Sequence, residues 1–184
     1  MPYNLIWIAK ALKDAGLNVV EEKSWKNHGR GATGKIRGVL CHDTAGPEEG
    51  NSPSLNVVKN GRSDLKGPLS QIFLARDGTL HVVAAGRCNH AGKGNWHGIK
   101  NGNYQMIGIE AENTGLDNDM PWPEVQYDAY VKCVAALLNY LGLTEKECSG
   151  HKEYCLPHGR KIDPSFDMDE FRVKVAPLIK TKEK

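Results

Sequence analysis

The chain has 184 residues, a length that favours one domain able to bury a substantial core. Its 40% hydrophobic and 25% charged residues are those of an ordinary globular chain, which argues against disordered or fibrous classes. A net charge of only +2 argues against a nucleic-acid binder, and no apolar run is long enough to span a bilayer, so neither nucleic acid nor membrane insertion is expected.

In chain order, residues 4–15 place Leu5, Ile8, Ala9, Leu12 and Ala15 on one helical face, with Gly16 as the stop. Lys10, Lys13 and Asp14 interrupt this segment, which lacks a basic leader followed by a clean apolar stretch; it is not read as a signal peptide, and synthesis in the cytoplasm is expected. Residues 36–42, IRGVLCH, read as a buried strand ending on a histidine. Ser52-Pro53 offers a helix start, and that helix is expected to end near Gly61. Residues 70–84 form the clearest hairpin, SQIFLA and TLHVVAA flanking Arg76-Asp77-Gly78. A long Gly- and Asn-rich loop, GRCNHAGKGNWHGIKNGN, follows, and such loops are often functional.

Residues 105–112, QMIGIEAE, read as another strand, with Met106, Gly108, Glu110 and Glu112 on one face and Ile107, Ile109 and Ala111 on the other. Pro123 opens the longest helix, running to about Leu141 with Tyr130, Val134, Leu137, Leu138 and Leu141 as its apolar stripe. Residues 148–166 look like a turn-rich loop. A last helix starts near Asp167, with Glu170 in a capping-box position, and the KTKEK tail is expected to fray. Interleaved strands and helices without repeats place the chain in the α/β or α+β class, one domain with a mixed sheet.

Five cysteines, Cys41, Cys88, Cys133, Cys148 and Cys155, form no C-x-x-C pair; an odd count in a cytoplasmic chain points to buried, reduced thiols. Two histidines stand out. His42 closes a strand, where the sheet fixes a side chain and the following loop leaves space above it, and His151 opens the turn-rich segment. A hydrolytic zinc site needs three protein ligands and an open position. No H-E-x-x-H spacing is present, so the residues alone leave both histidines as structural or surface groups as readily as ligands. His81 reads as structural or exposed, and His28 and His97 carry no signal.

Five short blocks occur in a recognisable order: Gly38-Val39-Leu40-Cys41-His42-Asp43-Thr44-Ala45-Gly46, Gly67-Pro68-Leu69-Ser70, Asn89-His90-Ala91-Gly92, Ile107-Gly108-Ile109-Glu110, and Gly150-His151-Lys152-Glu153 followed by Gly159-Arg160-Lys161-Ile162-Asp163-Pro164. Over residues 36–165 this resembles the N-acetylmuramoyl-L-alanine amidases, which share a fold with the peptidoglycan-recognition proteins, and in its Cys-Asn-His-Ala-Gly and Glu-Asn-Thr-Gly versions it is most similar to the amidase domains of actinobacteriophage endolysins.

The resemblance implies a mixed sheet flanked by helices, with a zinc groove at the sheet edge. It implies one catalytic Zn²⁺ held by His42, His151 and Asp163, a set of two nitrogens and one carboxylate oxygen that suits zinc. Glu110 matches the family's general base, and Lys161 its oxyanion-stabilising cation. His90 matches a substrate-contacting position, and Asn89 and Thr44 are further candidates for the same groove. Cys155 and His158 lie in the same interval as Asp163 and remain alternatives for the third ligand, with the Lys-Ile-Asp-Pro run favouring Asp163. Glu112 shares a face with Glu110 but not the matching position. A Cys41–His42 nucleophile pair is disfavoured because adjacent strand residues point to opposite faces.

The implied function is hydrolysis of the amide between N-acetylmuramic acid and L-alanine in peptidoglycan. The expected setting is a monomeric phage endolysin, made in the host cytoplasm and reaching the wall by holin-dependent release. Non-catalytic peptidoglycan receptors and intracellular muropeptide-recycling amidases are the rival readings on the same fold. Residues 1–30 are expected to form an N-terminal helix and lead-in, and residues 31–184 the catalytic domain.

Overall fold

The computed structural model describes residues 3–180, so the expected frayed tail lies, apart from Lys180, outside the described residues. Helices and strands interleave in the order α1 (Ile8–Asp14), β1 (Val19–Glu21), β2 (Gly38–Asp43), α2 (Leu55–Asn60), β3 (Gly61–Arg62), β4 (Leu65–Lys66), β5 (Ile72–Leu74), β6 (Leu80–Val82), α3 (Gly102–Gln105), β7 (Met106–Ala111), α4 (Glu124–Leu141), β8 (Cys148–Gly150), α5 (His151–Tyr154) and α6 (Met168–Val175). Six strands make one mixed sheet in the order β1-β6-β5-β7-β2-β8. Strands β5, β7, β2 and β8 run parallel to one another, β6 runs antiparallel to β5, and β1 lies parallel to β6. This is the single-domain α+β architecture expected from the alternation of elements.

The period-two reading of the two central strands holds. Val39 and Cys41 of β2, with Ile107, Ile109 and Ala111 of β7, point into the main core, where they meet Leu5, Ile8 and Leu12 of the α1 segment, Tyr130, Val134, Leu137 and Leu138 of α4, and Phe171 of α6. Three helices therefore cover one face of the sheet. The opposite face carries smaller apolar patches: Phe73 against Val58 of α2, and Leu40, Ala91, Ile99 and Met106 around Tyr154. Between those patches lie the polar side chains of β2 and β7, His42 and Asp43 buried and Glu110 partly exposed.

Several boundaries differ from the sequence reading. The first helix begins at Ile8 because residues 4–7 form turns, and Ala15 is exposed at its end. Helix α2 begins at Leu55 rather than at Ser52-Pro53, because the backbone N–H and hydroxyl of Ser54 both donate to the Glu112 carboxylate, at 2.7 and 2.8 Å, which ties that segment to the residue just after β7 before the helix can start. In the hairpin, β5 and β6 pair Leu74 with Leu80 around a turn where Gly78 adopts φ +83°, a left-handed conformation that favours glycine. Residues 148–166 are not all loop: they contain β8 and α5, both too short to show a period. Asp167 caps α6 by accepting from the N–H groups of Asp169 and Glu170, the forward half of the expected box.

All five cysteines are buried and free, as expected; Cys41 faces the helical core, its sulfur 3.6 Å from that of Cys148, on the side of the sheet opposite His42. No helix among the described residues is long and apolar enough to cross a membrane.

Candidate metal centre

Strands β7, β2 and β8 run the same way and end together, so whatever follows their last residues is gathered at one place. His42 pairs in register with Glu110, and Cys41 with Gly150, which sets His151 beside His42. The third element is the segment after α5. It is pinned back by Lys152 N–H donating to the Asp163 carbonyl at 2.7 Å, Lys152 Nζ donating to Phe166 O at 2.7 Å, and Ser165 N–H donating to the Asp43 carboxylate at 3.0 Å.

These constraints bring three candidate ligand atoms into a small triangle. His42 Nδ1 lies 3.0 Å from His151 Nδ1, and each lies 3.1 Å from Asp163 Oδ2. Among the described residues this is the one group of histidine, cysteine or carboxylate side chains close enough to hold a metal ion. Cys155 is buried elsewhere, its sulfur 3.7 Å from the carbonyls of Lys152 and Pro157, and His158 is exposed; neither joins the triangle.

The electrostatics fit a cation. Burial first, and then repulsion from His151, lowers the His42 pKa to about 4, so the ring is neutral with a lone pair to offer; Asp163 opposes this only partly. Burial pushes the Asp163 carboxyl up, but the two imidazoles beside it, with the Nδ1 atoms of His151 and His42 each 3.1 Å from Oδ2, outweigh burial and hold the group well below the usual carboxylate range. His151 Nε2 lies 3.0 Å from the carbonyl of Ala91, an acceptor only, so Nε2 carries the proton and Nδ1 faces the triangle with its lone pair. Two nitrogen lone pairs and a carboxylate oxygen converging within about 3 Å repel one another unless a proton or a cation lies among them. Tetrahedral ligands at the usual zinc bond lengths stand roughly 3.3 Å apart, close to the spacing found here.

Glu110 stands on the neighbouring strand, with Oε1 3.9 Å from His42 Nδ1 and 16% of its side chain exposed. Burial, then the negative charges of Asp163 and Asp43, raise its pKa well above 4.5, and Lys161 opposes them. Asp43 is likewise raised, to about 6, by burial and by Asp163. Glu112 is different: it is fully buried and accepts from Thr44 Oγ1, Ser54 N and Ser54 Oγ, so it is committed to holding the loop after β2.

A groove of about 670 Å³ opens above the triangle. Thr44, Asn89, His90, Glu110, His151, Lys161 and Asp163 all line it, so all the sequence-derived site residues except the buried His42 have a wall on it, and His42 lies directly beneath. Lys161 is exposed on the rim. Asn89 Nδ2 donates to the Lys66 carbonyl and Thr44 Oγ1 to Glu112, so both side chains are held in place. His90 is more deeply set than a contact residue need be, with 8% exposure and Nδ1 3.2 Å from His42 Nε2. The sequence reading gave no role to Asp43, Arg62, Leu116 or Arg160, which also line the groove. Asp43 had one legible signal, its place directly after the strand-end histidine.

The sequence profile of one family, described as N-acetylmuramoyl-L-alanine amidase, matches residues 32–166. Among solved structures, the chain is similar to a selenomethionine derivative of AmpD, with 22% identity over 96% of this chain and 100% of that one, at a TM-score of 0.67. It is similar to AmiD from E. coli, in complex with the substrate anhydro-N-acetylmuramic acid-L-Ala-D-gamma-Glu-L-Lys, with 19% identity over 80% of this chain and 60% of that one, at a TM-score of 0.63. It is also similar to the endolysin amidase LysCS from Clostridium intestinale, with 18% identity over 86% of this chain and 95% of that one, at a TM-score of 0.57. At these identities the likeness is one of fold. The comparison with curated proteins found no match.

Proposed function

The chain belongs to the N-acetylmuramoyl-L-alanine amidase family, and from that premise we propose that it is a zinc-dependent peptidoglycan hydrolase serving as a phage endolysin in host-cell lysis. The substrate bond is the amide joining the lactyl group of N-acetylmuramic acid to L-alanine of the stem peptide. The observation that carries this reading is the convergence of His42 Nδ1, His151 Nδ1 and Asp163 Oδ2 within 3.1 Å of one another, beneath a groove walled by Glu110.

His42, His151 and Asp163 would hold one zinc ion. When bound, it supplies Lewis acidity, polarising the scissile carbonyl and acidifying water. Glu110, raised in pKa by its buried and acidic surroundings, accepts the proton of the attacking water on its carboxylate and returns it to the leaving amine of L-alanine. The Lys161 ammonium, on the rim, stabilises the negative charge that develops on the carbonyl oxygen. His90, Asn89 and Thr44 contact the muropeptide along the groove walls. Residues 31–184 are assigned as the catalytic domain and residues 1–30 as its lead-in, supported by the start of the family match at residue 32; the lead-in helix packs into the same core. The protein acts as a monomer, made in the host cytoplasm and reaching the wall by holin-dependent release.

The test is to incubate zinc-loaded protein with purified cell walls and analyse the soluble products. Stem peptides bearing a new N-terminal alanine are expected; new reducing sugar ends would identify a glycosidase and end this reading. A second reading, an amidase of small anhydro-muropeptides rather than intact wall, draws on the substrate seen with AmiD. Relative rates on insoluble walls and on soluble anhydro-muropeptides separate the two.

A further inference from the structure

We propose that His90 is a positioning residue of the metal centre: its Nδ1 accepts the Nε2–H of His42, fixing the tautomer in which His42 turns the Nδ1 lone pair onto the ion. The proposal rests on the zinc reading and goes beyond it, because it gives His90 work that is independent of substrate.

A neutral imidazole carries one N–H and one lone pair. His42 Nδ1 belongs to the ligand triangle, so as a ligand His42 carries its proton on Nε2. The protein atom facing that Nε2 is His90 Nδ1, at 3.2 Å. The two rings stand edge to face, with centroids 5.3 Å apart and planes at 88°. For His42 to donate, His90 Nδ1 must hold a lone pair, which moves the His90 proton to Nε2. That atom is buried and makes no hydrogen bond of good geometry among the described residues, while the Met106 carbonyl lies near enough to the ring to favour its N–H form. The fold thus leaves the outer nitrogen of His90 poorly partnered while its inner nitrogen faces His42 Nε2.

The next residue does the same for the other ligand. Ala91 O accepts from His151 Nε2 at 3.0 Å, so one dipeptide supplies the tautomer-setting acceptors of both imidazoles. The dipeptide is itself clamped: Asn103 Oδ1 accepts from the backbone N–H of His90 at 2.8 Å and of Ala91 at 2.7 Å. The His90 ring lies on Gly108 of β7, where a Cβ would stand 2.7 Å from its Cγ and Nδ1, so only glycine there lets the ring reach His42. Partners of this kind orient a ligand and raise its basicity, and losing one commonly costs about 10–100-fold in metal affinity.

The experiment measures zinc affinity by competition with a chelator for the wild type, His90→Leu and His90→Asn, with kcat and KM on a soluble muropeptide at saturating zinc. His90→Leu removes the acceptor, and a roughly 10–100-fold weaker zinc affinity is expected. His90→Asn keeps an oxygen near the position of Nδ1 and is expected to recover most of the affinity. Unchanged affinity in His90→Leu with a raised KM would overturn the proposal, leaving His90 a substrate contact only. Should His90→Leu fail to fold, long-range ¹H–¹⁵N spectra of the zinc-loaded wild type decide: a protonated His42 Nε2 facing an unprotonated His90 Nδ1 is expected, and a proton on His90 Nδ1 overturns it. A wild type that holds no zinc defeats the metal reading and this proposal with it; a zinc-binding wild type with an unaffected His90→Leu defeats this proposal alone.

Discussion

Replacing Glu110 by glutamine should move activity and stability in opposite directions. The carboxylate lies 3.9 Å from His42 Nδ1 and accepts no hydrogen bond from any group of the described structure, so its buried charge is poorly compensated in the metal-free protein. Its pKa is raised above 4.5 by burial, then by Asp163 and Asp43. For an acid whose folded pKa lies above its unfolded one, stability is present at low pH and lost as pH rises past the unfolded value. At pH 7 the native carboxyl is therefore a burden that a neutral amide of the same shape removes. Metal-free Glu110→Gln should melt at or above the wild type at pH 7, and the difference should narrow as pH falls below 4.5, where the carboxyl becomes protonated in both states. Losing a general base typically costs 10²–10⁴-fold in turnover, about 3–5 kcal/mol of barrier. The assay is release of alanine-terminated stem peptides, with bound zinc measured on the same samples and melting followed with and without chelator. Full turnover in Glu110→Gln, or a loss of zinc equal to the loss of turnover, refutes the assignment of Glu110 as the base.

Asp163→Ala should lose zinc and hydrolysis together, because it removes the only anionic ligand of the triangle while the two imidazoles remain; retained stoichiometric zinc by metal analysis would move the third ligand elsewhere. Tyr130→Phe should destabilise: the hydroxyl accepts from His42 N–H at 2.9 Å and lies 3.0 and 3.1 Å from the carbonyls of His42 and Ile109. Stranding that N–H in the core costs about 1–3 kcal/mol, at roughly 2–4 °C of melting temperature per kcal/mol for a chain of this size. The imidazole of His42 in metal-free protein should titrate near 4 rather than 6.5, read by NMR. The sign follows from the lowered value: the ring is neutral and ready to bind metal at pH 6, and the metal-free fold loses stability as pH falls from 6.5 towards 4. A midpoint at or above 6.5 contradicts the burial argument.

Much of this could be read along the chain, and the rest could not for identifiable reasons. The central strands announce themselves because one face meets helices and the other a polar groove, so β7 alternates Ile107, Ile109, Ala111 against Gly108 and Glu110. The hairpin is legible because Asp77-Gly78 supplies the turn its strands require, and α4 because its stripe is long enough to repeat. Strand β8 and helix α5 span three and four residues, too few for any period to emerge, so the platform that carries His151 read as loop. Strand β1 was missed for the same reason, and the helix start at Leu55 because a distant carboxylate, Glu112, competes for Ser54.

Residue types and local pattern were enough to place His42 at a strand end, to set Glu110 on the polar face of its strand, and to separate Cys41 from His42 by the pleat, since these depend only on neighbours along the chain. Only the tertiary structure decided that His151 and Asp163 meet His42 within 3.1 Å, that Glu112 is spent on a loop, and that His90 stands 3.2 Å behind His42. Those facts follow from the parallel register that lays Gly150 beside Cys41 and from backbone bonds across more than a hundred residues. Contacts at such separation leave no periodicity in the sequence, because the loop entropy they overcome is offset by the whole core rather than by the residues that meet.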